Sequence, residues 1–190
     1  MRLLARPYLA FKFFNSLFAG AAMGAVFAIY ALIDPAVFSA GGLLLAAGML
    51  IIARLYSRLM NLPAFFVVTI GVETVMLIVV ALYLWQPLNP VIALSVYGGY
   101  QVMFLFGNYL IRAETLFLKR IKMLSWLDVR KQTGYLLGLA LSWVVYRWLE
   151  EGFSVTDKTE QVWWLHWGLL AVQVAVIVFA LAAFRKKPRP

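Results

Sequence analysis

Glu73 is the side chain with the most chemical consequence in this sequence. It is the only ionisable residue in the run PAFFVVTIGVETVMLIVVALYLW at 63–85, and a bilayer core ~30 Å thick takes ~20 helical residues to cross. A charge at that depth costs at least ~2.5 kcal/mol on insertion scales, so the carboxyl is expected to face protein or water, or to be protonated. Two amides share its depth. Gln101 falls ten residues after Val91 and Gln173 ten after Trp163, as Glu73 falls ten after Pro63. Each lies ~15 Å along its helix at 1.5 Å per residue. Two chemistries fit the trio. One is interhelical hydrogen bonding, worth ~0.6 kcal/mol per bond. The other is a substrate or proton site at the midplane, with Glu73 as its ionisable member. A third placement puts Glu73 at a subunit contact.

Around Gln101 the segment ALSVYGGYQVMFLFGNYLIR adds Tyr97 and Tyr100 towards one end, and Asn108 and Arg112 towards the other. Arg112 has the charge to meet an anionic substrate or Glu114; its plainer reading is an arginine snorkelling to the inner interface. His166 sits in WWLHW, where tryptophans anchor a helix at the interface. It is expected to be a belt residue, although imidazole titrates near neutral pH. Enzyme signatures are missing: the chain has no G-x-S-x-G, H-E-x-x-H or G-x-x-x-x-G-K-[ST] motif. With no cysteine and one histidine, thiolate chemistry and a histidine-based metal cluster are excluded. No enzyme activity, cofactor or metal is expected.

The elements that carry these residues follow from composition. Of 190 residues, 64% are hydrophobic and 13% charged, against ~45–50% and ~25% for a soluble domain. The chain is therefore expected to be an all-α integral membrane protein in a single domain. Six transmembrane helices are predicted at 13–33, 36–53, 63–85, 90–111, 133–149 and 162–184. Residues 112–132 form a basic amphipathic connector, in which Phe117, Ile121 and Leu124 share a helical stripe. Gly20, Gly24 and Ala28, and again Gly134, Gly138 and Ser142, stand at the small-residue spacing that lets neighbouring backbones approach.

The net charge of +9 is distributed for a membrane and not for nucleic acid. Fifteen basic residues, including Lys12, Arg54, Arg58, Arg112, Lys119, Lys131, Lys186, Lys187 and Arg189, fall on one side of the predicted spans, and only Arg147 and Lys158 on the other. By the positive-inside rule both termini are cytoplasmic. The expected location is the bacterial inner membrane, multi-pass, with the lipid bilayer as the first partner. The first apolar run lacks a cleavage site followed by a polar region, so it reads as a retained span.

Three spans followed by three set up an inverted repeat, because an odd number makes the second triplet enter from the opposite side. With small residues in the first span, ARLYSRLMN after the second, a polar fourth span and RKQTGYLLGLALS opening the fifth, the chain resembles one six-helix half of a major facilitator superfamily transporter. The connector has Arg54 and Arg58 without that family's carboxylate, and the fifth span lacks its Gly-Pro element. The resemblance implies a homodimer that moves a small solute of unknown identity by alternating access. By that resemblance Tyr97, Tyr100, Gln101 and Asn108 outrank Glu73 as ligands; with the residues singled out by depth and charge, the candidate substrate-binding residues are Glu73, Tyr97, Tyr100, Gln101, Asn108, Arg112 and Gln173. Two other readings stay open: an accessory or substrate-binding subunit of a larger membrane complex, or a structural assembly subunit whose 112–131 stretch docks a cytoplasmic partner.

Overall fold

The structure, a computed structural model, describes residues 1–31, 33–87 and 89–185. Leu32, in the first predicted span, Leu88, in the turn before the fourth, and Lys186, Lys187 and Arg189 lie outside them. In chain order the elements are β1 (Arg2–Leu3), α1 (Ala5–Tyr30), α2 (Pro35–Arg54), the short α3 (Tyr56–Leu59), α4 (Leu62–Trp85), α5 (Pro90–Leu118), α6 (Ile121–Phe153), α7 (Lys158–Ala183) and β2 (Phe184–Arg185). Five of these helices, α1, α2, α4, α5 and α7, are long and apolar enough to cross a membrane. The predicted fifth span lies inside α6, whose 33 residues make it the longest helix. Its charged ends lower its mean hydropathy.

Four helices start where an Asn or Asp side chain accepts from the first free amides, with proline or polar residues beside it. Asp34 accepts from Ala36 N–H at 2.7 Å and Asn61 from Ala64 N–H at 2.9 Å. Asn89 accepts from Val91 N–H at 2.8 Å, and Asp157 from Thr159 N–H at 3.1 Å. Pro35, Pro63 and Pro90 occupy first-turn positions, where a missing N–H costs nothing.

Two boundaries differ from those predicted. First, α1 begins at Ala5 rather than near residue 13, because Pro7 suits a first turn and Tyr8, Phe11 and Lys12 are buried against other helices. Second, 112–132 is not one connector. Residues 112–118 continue α5, Lys119 takes a left-handed conformation (φ 50°), Arg120 is extended, and 121–132 opens α6. The predicted stripe is therefore broken: Phe117 packs on Phe65 with ring centroids 5.5 Å apart, while Ile121 is 86% exposed. An i, i+4, i+7 pattern describes one face only while the helix runs unbroken.

The helices pack side by side in the spatial order α6, α1, α7, α4, α5, α2. α2 rests on α5 and contributes no buried residue. One half of the core gathers Phe18, Ala22, Met76, Tyr83, Val96 and Leu165. The other gathers Tyr8, Phe11, Phe65, Tyr109, Leu127 and Val176. The α1–α6 contact is backbone against backbone. A Cβ on Gly20 would strike the Tyr135 backbone, one on Gly134 the Phe13 backbone, and one on Gly138 the backbone of Leu17 and Ala21. This is the close approach that the four-residue spacing predicted. Two segments far apart in sequence meet: β1 pairs antiparallel with β2, Arg2 opposite Arg185, and Leu4 N–H donates to Ala183 C=O at 2.8 Å.

Candidate functional site

Glu73 lies on the buried face of α4, 4% exposed, where α7 packs against α4 and an α1 side chain reaches in. Asn15 Nδ2, from α1, donates to one carboxylate oxygen at 2.9 Å. Gln173 Nε2, from α7, donates to the other at 2.9 Å and to the Glu73 backbone carbonyl, also at 2.9 Å. Of the three residues expected at one depth, Glu73 and Gln173 are thus joined by hydrogen bonds. Asn15 reaches Glu73 because α1 and α4 both flank α7. Thr69, one turn before Glu73 on the same face, is 2% exposed. Its hydroxyl oxygen and Gln173 Oε1 are buried without a hydrogen-bond partner.

Gln101, the third member of the mid-depth trio, makes no hydrogen bond to Glu73 or Gln173; its Oε1 is buried and unpartnered. Its neighbours on α5 divide between two places. Tyr97 and Tyr100 join an aromatic cluster that ties α5 to α1 and α2. Tyr97 stands edge-on to Tyr30 at 5.5 Å and to Phe38 at 5.1 Å, its hydroxyl donating to Phe38 C=O at 3.4 Å. Tyr100 meets Tyr30 at 6.4 Å. Asn108 and Arg112 are exposed, and both line an open groove of about 390 Å³ between α5 and the end of α2, with Met49, Ile52, Tyr56 and Leu105. The seven predicted residues therefore fall into separate groups, Glu73 with Gln173, Tyr97 with Tyr100, Asn108 with Arg112, and Gln101 apart, and do not form one pocket.

A second buried carboxylate was not foreseen. Glu114, near the end of α5, is 2% exposed, so Glu73 is not the only acid withdrawn from water. It pairs with Lys12 of α1 and, at 2.7 Å, with Lys131 of α6, and accepts from Tyr8 O–H at 2.8 Å. Arg112, considered as its partner, lines the groove instead, because residues two apart on a helix point in different directions. Lys12, counted with the cytoplasmic-side cations, is 8% exposed, and its ammonium sits against the rings of Tyr8 and Phe11, 5.8 and 5.2 Å from their centroids. Lys12 and Asn15 are three residues apart on one face of α1, so this helix serves both carboxylates. That spacing was the available signal.

His166 also departs from expectation. It is 5% exposed, stacked on Tyr83 with centroids 4.0 Å apart, with Nδ1 2.7 Å from Val162 C=O. Trp164 and Trp167 do face outward, while Trp163 turns partly inward and donates to Leu84 C=O at 3.1 Å. In a helix, His166 stands about 100° from each neighbour, so the residues beside an exposed tryptophan need not share its face.

Comparison of the chain with known protein families, with curated proteins and with solved structures finds no match. The chemistry of these sites is carried by their own geometry. Long apolar helices and carboxylates sealed inside their contacts define a helical protein compatible with multi-pass insertion in a membrane.

Proposed function

We propose that the chain spans the bilayer six times with both ends cytoplasmic, and that it works as a homodimeric half-transporter moving a small solute by alternating access. Parity supports the span count. Terminal segments joined by β1 and β2 lie on one side, which requires an even number of crossings, whereas the strongly apolar helices number five. α6 supplies the sixth: its 33 residues reach ~50 Å at 1.5 Å each, and 132–146 carries no charge. The split of basic residues supports cytoplasmic ends.

The packing order supports an inverted repeat. Exchanging α1, α2 and α4 for α5, α6 and α7 converts the α1–α6 contact into α5–α2 and the α1–α7 contact into α5–α4, and returns α4–α7 to itself. Transporter folds commonly use such repeats.

One observation carries the transport reading. α5 presents a polar stripe that the chain itself does not satisfy: Gln101 with an unpartnered oxygen, then exposed Asn108 and Arg112 on the groove beside α2. Polar groups on a membrane-spanning helix face protein or a water-filled path and not lipid. A second copy facing this side, related by an axis along the membrane normal, would enclose such a path. Native mass measurement in mild detergent tests it. The expected assembly has the mass of two 21.5 kDa chains, and Asn108→Trp on the stripe dissociates it or abolishes solute uptake into vesicles. A monomer throughout, with uptake indifferent to that substitution, refutes the proposal.

A further inference from the structure

We propose that Glu73, Thr69 and Gln173 form a binding site for a small monovalent cation, of sodium's size, between α4 and α7. The inference concerns binding alone and holds whether or not the chain transports.

The charge balance comes first. Glu73 has no ion-pair partner among the described residues. Lys12, one turn from Asn15 on α1, is engaged by Glu114. A carboxylate this far from water needs a counter-charge, and hydrogen bonds from two neutral amides do not supply one. The acceptors point the same way. Gln173 Oε1 and Thr69 Oγ1 are both buried and unpartnered, on residues 0% and 2% exposed. Orphaned buried oxygens are rare in native structures, and coordination to a bound ion is one recognised cause. Thr69 precedes Glu73 by one helical turn, so both project from the same side of α4, the side that α7 covers with Gln173.

The ligand chemistry then narrows. Carboxylate, amide and hydroxyl oxygens are hard donors, which suit alkali and alkaline-earth cations rather than soft metals. A single carboxylate balances one positive charge; a divalent ion would leave an excess in a low-dielectric interior. Rotating the Gln173 amide about its terminal torsion, which has a broad minimum, turns Oε1 towards the carboxylate in place of Nε2. The site between packed helices suits a small ion.

The test is thermal unfolding of the intact purified protein in mild detergent, at fixed ionic strength, in sodium, potassium or choline chloride. A site with Kd of about 1 mM at 100 mM sodium shifts the unfolding equilibrium about 100-fold, raising the midpoint in sodium and not in choline. Thr69→Val, which keeps shape and leaves the carboxylate in place, is expected to lose the sodium shift, and Thr69→Ser to keep it. Glu73→Gln loses it as well; if that variant fails to fold, the Thr69 pair decides alone. Equal midpoints in all three salts overturn the proposal, as does a sodium shift that survives Thr69→Val. A midpoint that follows pH through Glu73 but ignores sodium also overturns it, assigning the site to a proton.

Discussion

Neutralising Glu114 is expected to be among the costliest isosteric changes in the chain. Glu114→Gln preserves volume and leaves Tyr8 O–H an amide oxygen to bond, so the loss is almost entirely charge. The two lysines respond differently because they differ in burial. The Lys131 side chain is 24% exposed and can turn to water, contributing about 0–1 kcal/mol. The Lys12 side chain is 10% exposed, with the rings of Tyr8 and Phe11 beside its ammonium, and is stranded without its anion. Breaking a buried pair from one side costs about 3–5 kcal/mol. Lys12→Met alone leaves Glu114 with Lys131 and Tyr8, a loss of about 1–3 kcal/mol. The double variant removes the stranded charge, so it is expected to fall short of the sum by about 1–3 kcal/mol. Reversible unfolding in mixed micelles, run as a double-mutant cycle, measures this coupling. Additivity within about 0.5 kcal/mol would show that Lys12 does not depend on Glu114, and the three-helix ion cluster would be abandoned.

Two further outcomes follow from the packing. Gly138→Val should push α6 off α1, since any Cβ there meets the Leu17 and Ala21 backbone, and should lower stability by about 1–3 kcal/mol. Gly42→Ala, with nothing within 4 Å of the added atom, should be neutral or gain about 0.5–1 kcal/mol from helix propensity; equal thermal midpoints for the two would contradict the close contact. Because the chain contains no cysteine, Arg2→Cys with Arg185→Cys gives a clean pair. These paired strand positions should cross-link within one chain under mild oxidation, and non-reducing gels showing no intramolecular product would undo the joined termini.

The sequence alone determined the character of the chain and most of its helix positions. Apolar runs of bilayer length, separated by Asp-Pro, Asn-x-Pro and Asn-Pro starts, are local signals, and α2 and α4 lie within a residue or two of the predicted spans. The small-residue spacing in α1 and α6 also announced a close helix contact, because one helix surface is enough to display it. Equal depth in a membrane, a one-dimensional quantity, grouped Glu73, Gln101 and Gln173 without saying which of them meet.

What the sequence left undecided was direction around each helix axis and the identity of the neighbour. Depth grouped Gln101 with Glu73, but no hydrogen bond joins them; Asn15 completes the Glu73 contacts because α1 and α4 both flank α7. His166, between tryptophans, turns inward to Tyr83. The Glu114 cluster was least legible of all. Its members stand at positions 8, 12, 114 and 131, and a charged residue beside an apolar run looks the same in sequence whether it faces water or a buried counter-ion. Only the packing of α1 against α5 and α6 brings those charges together, and only burial there makes their pairing decide stability.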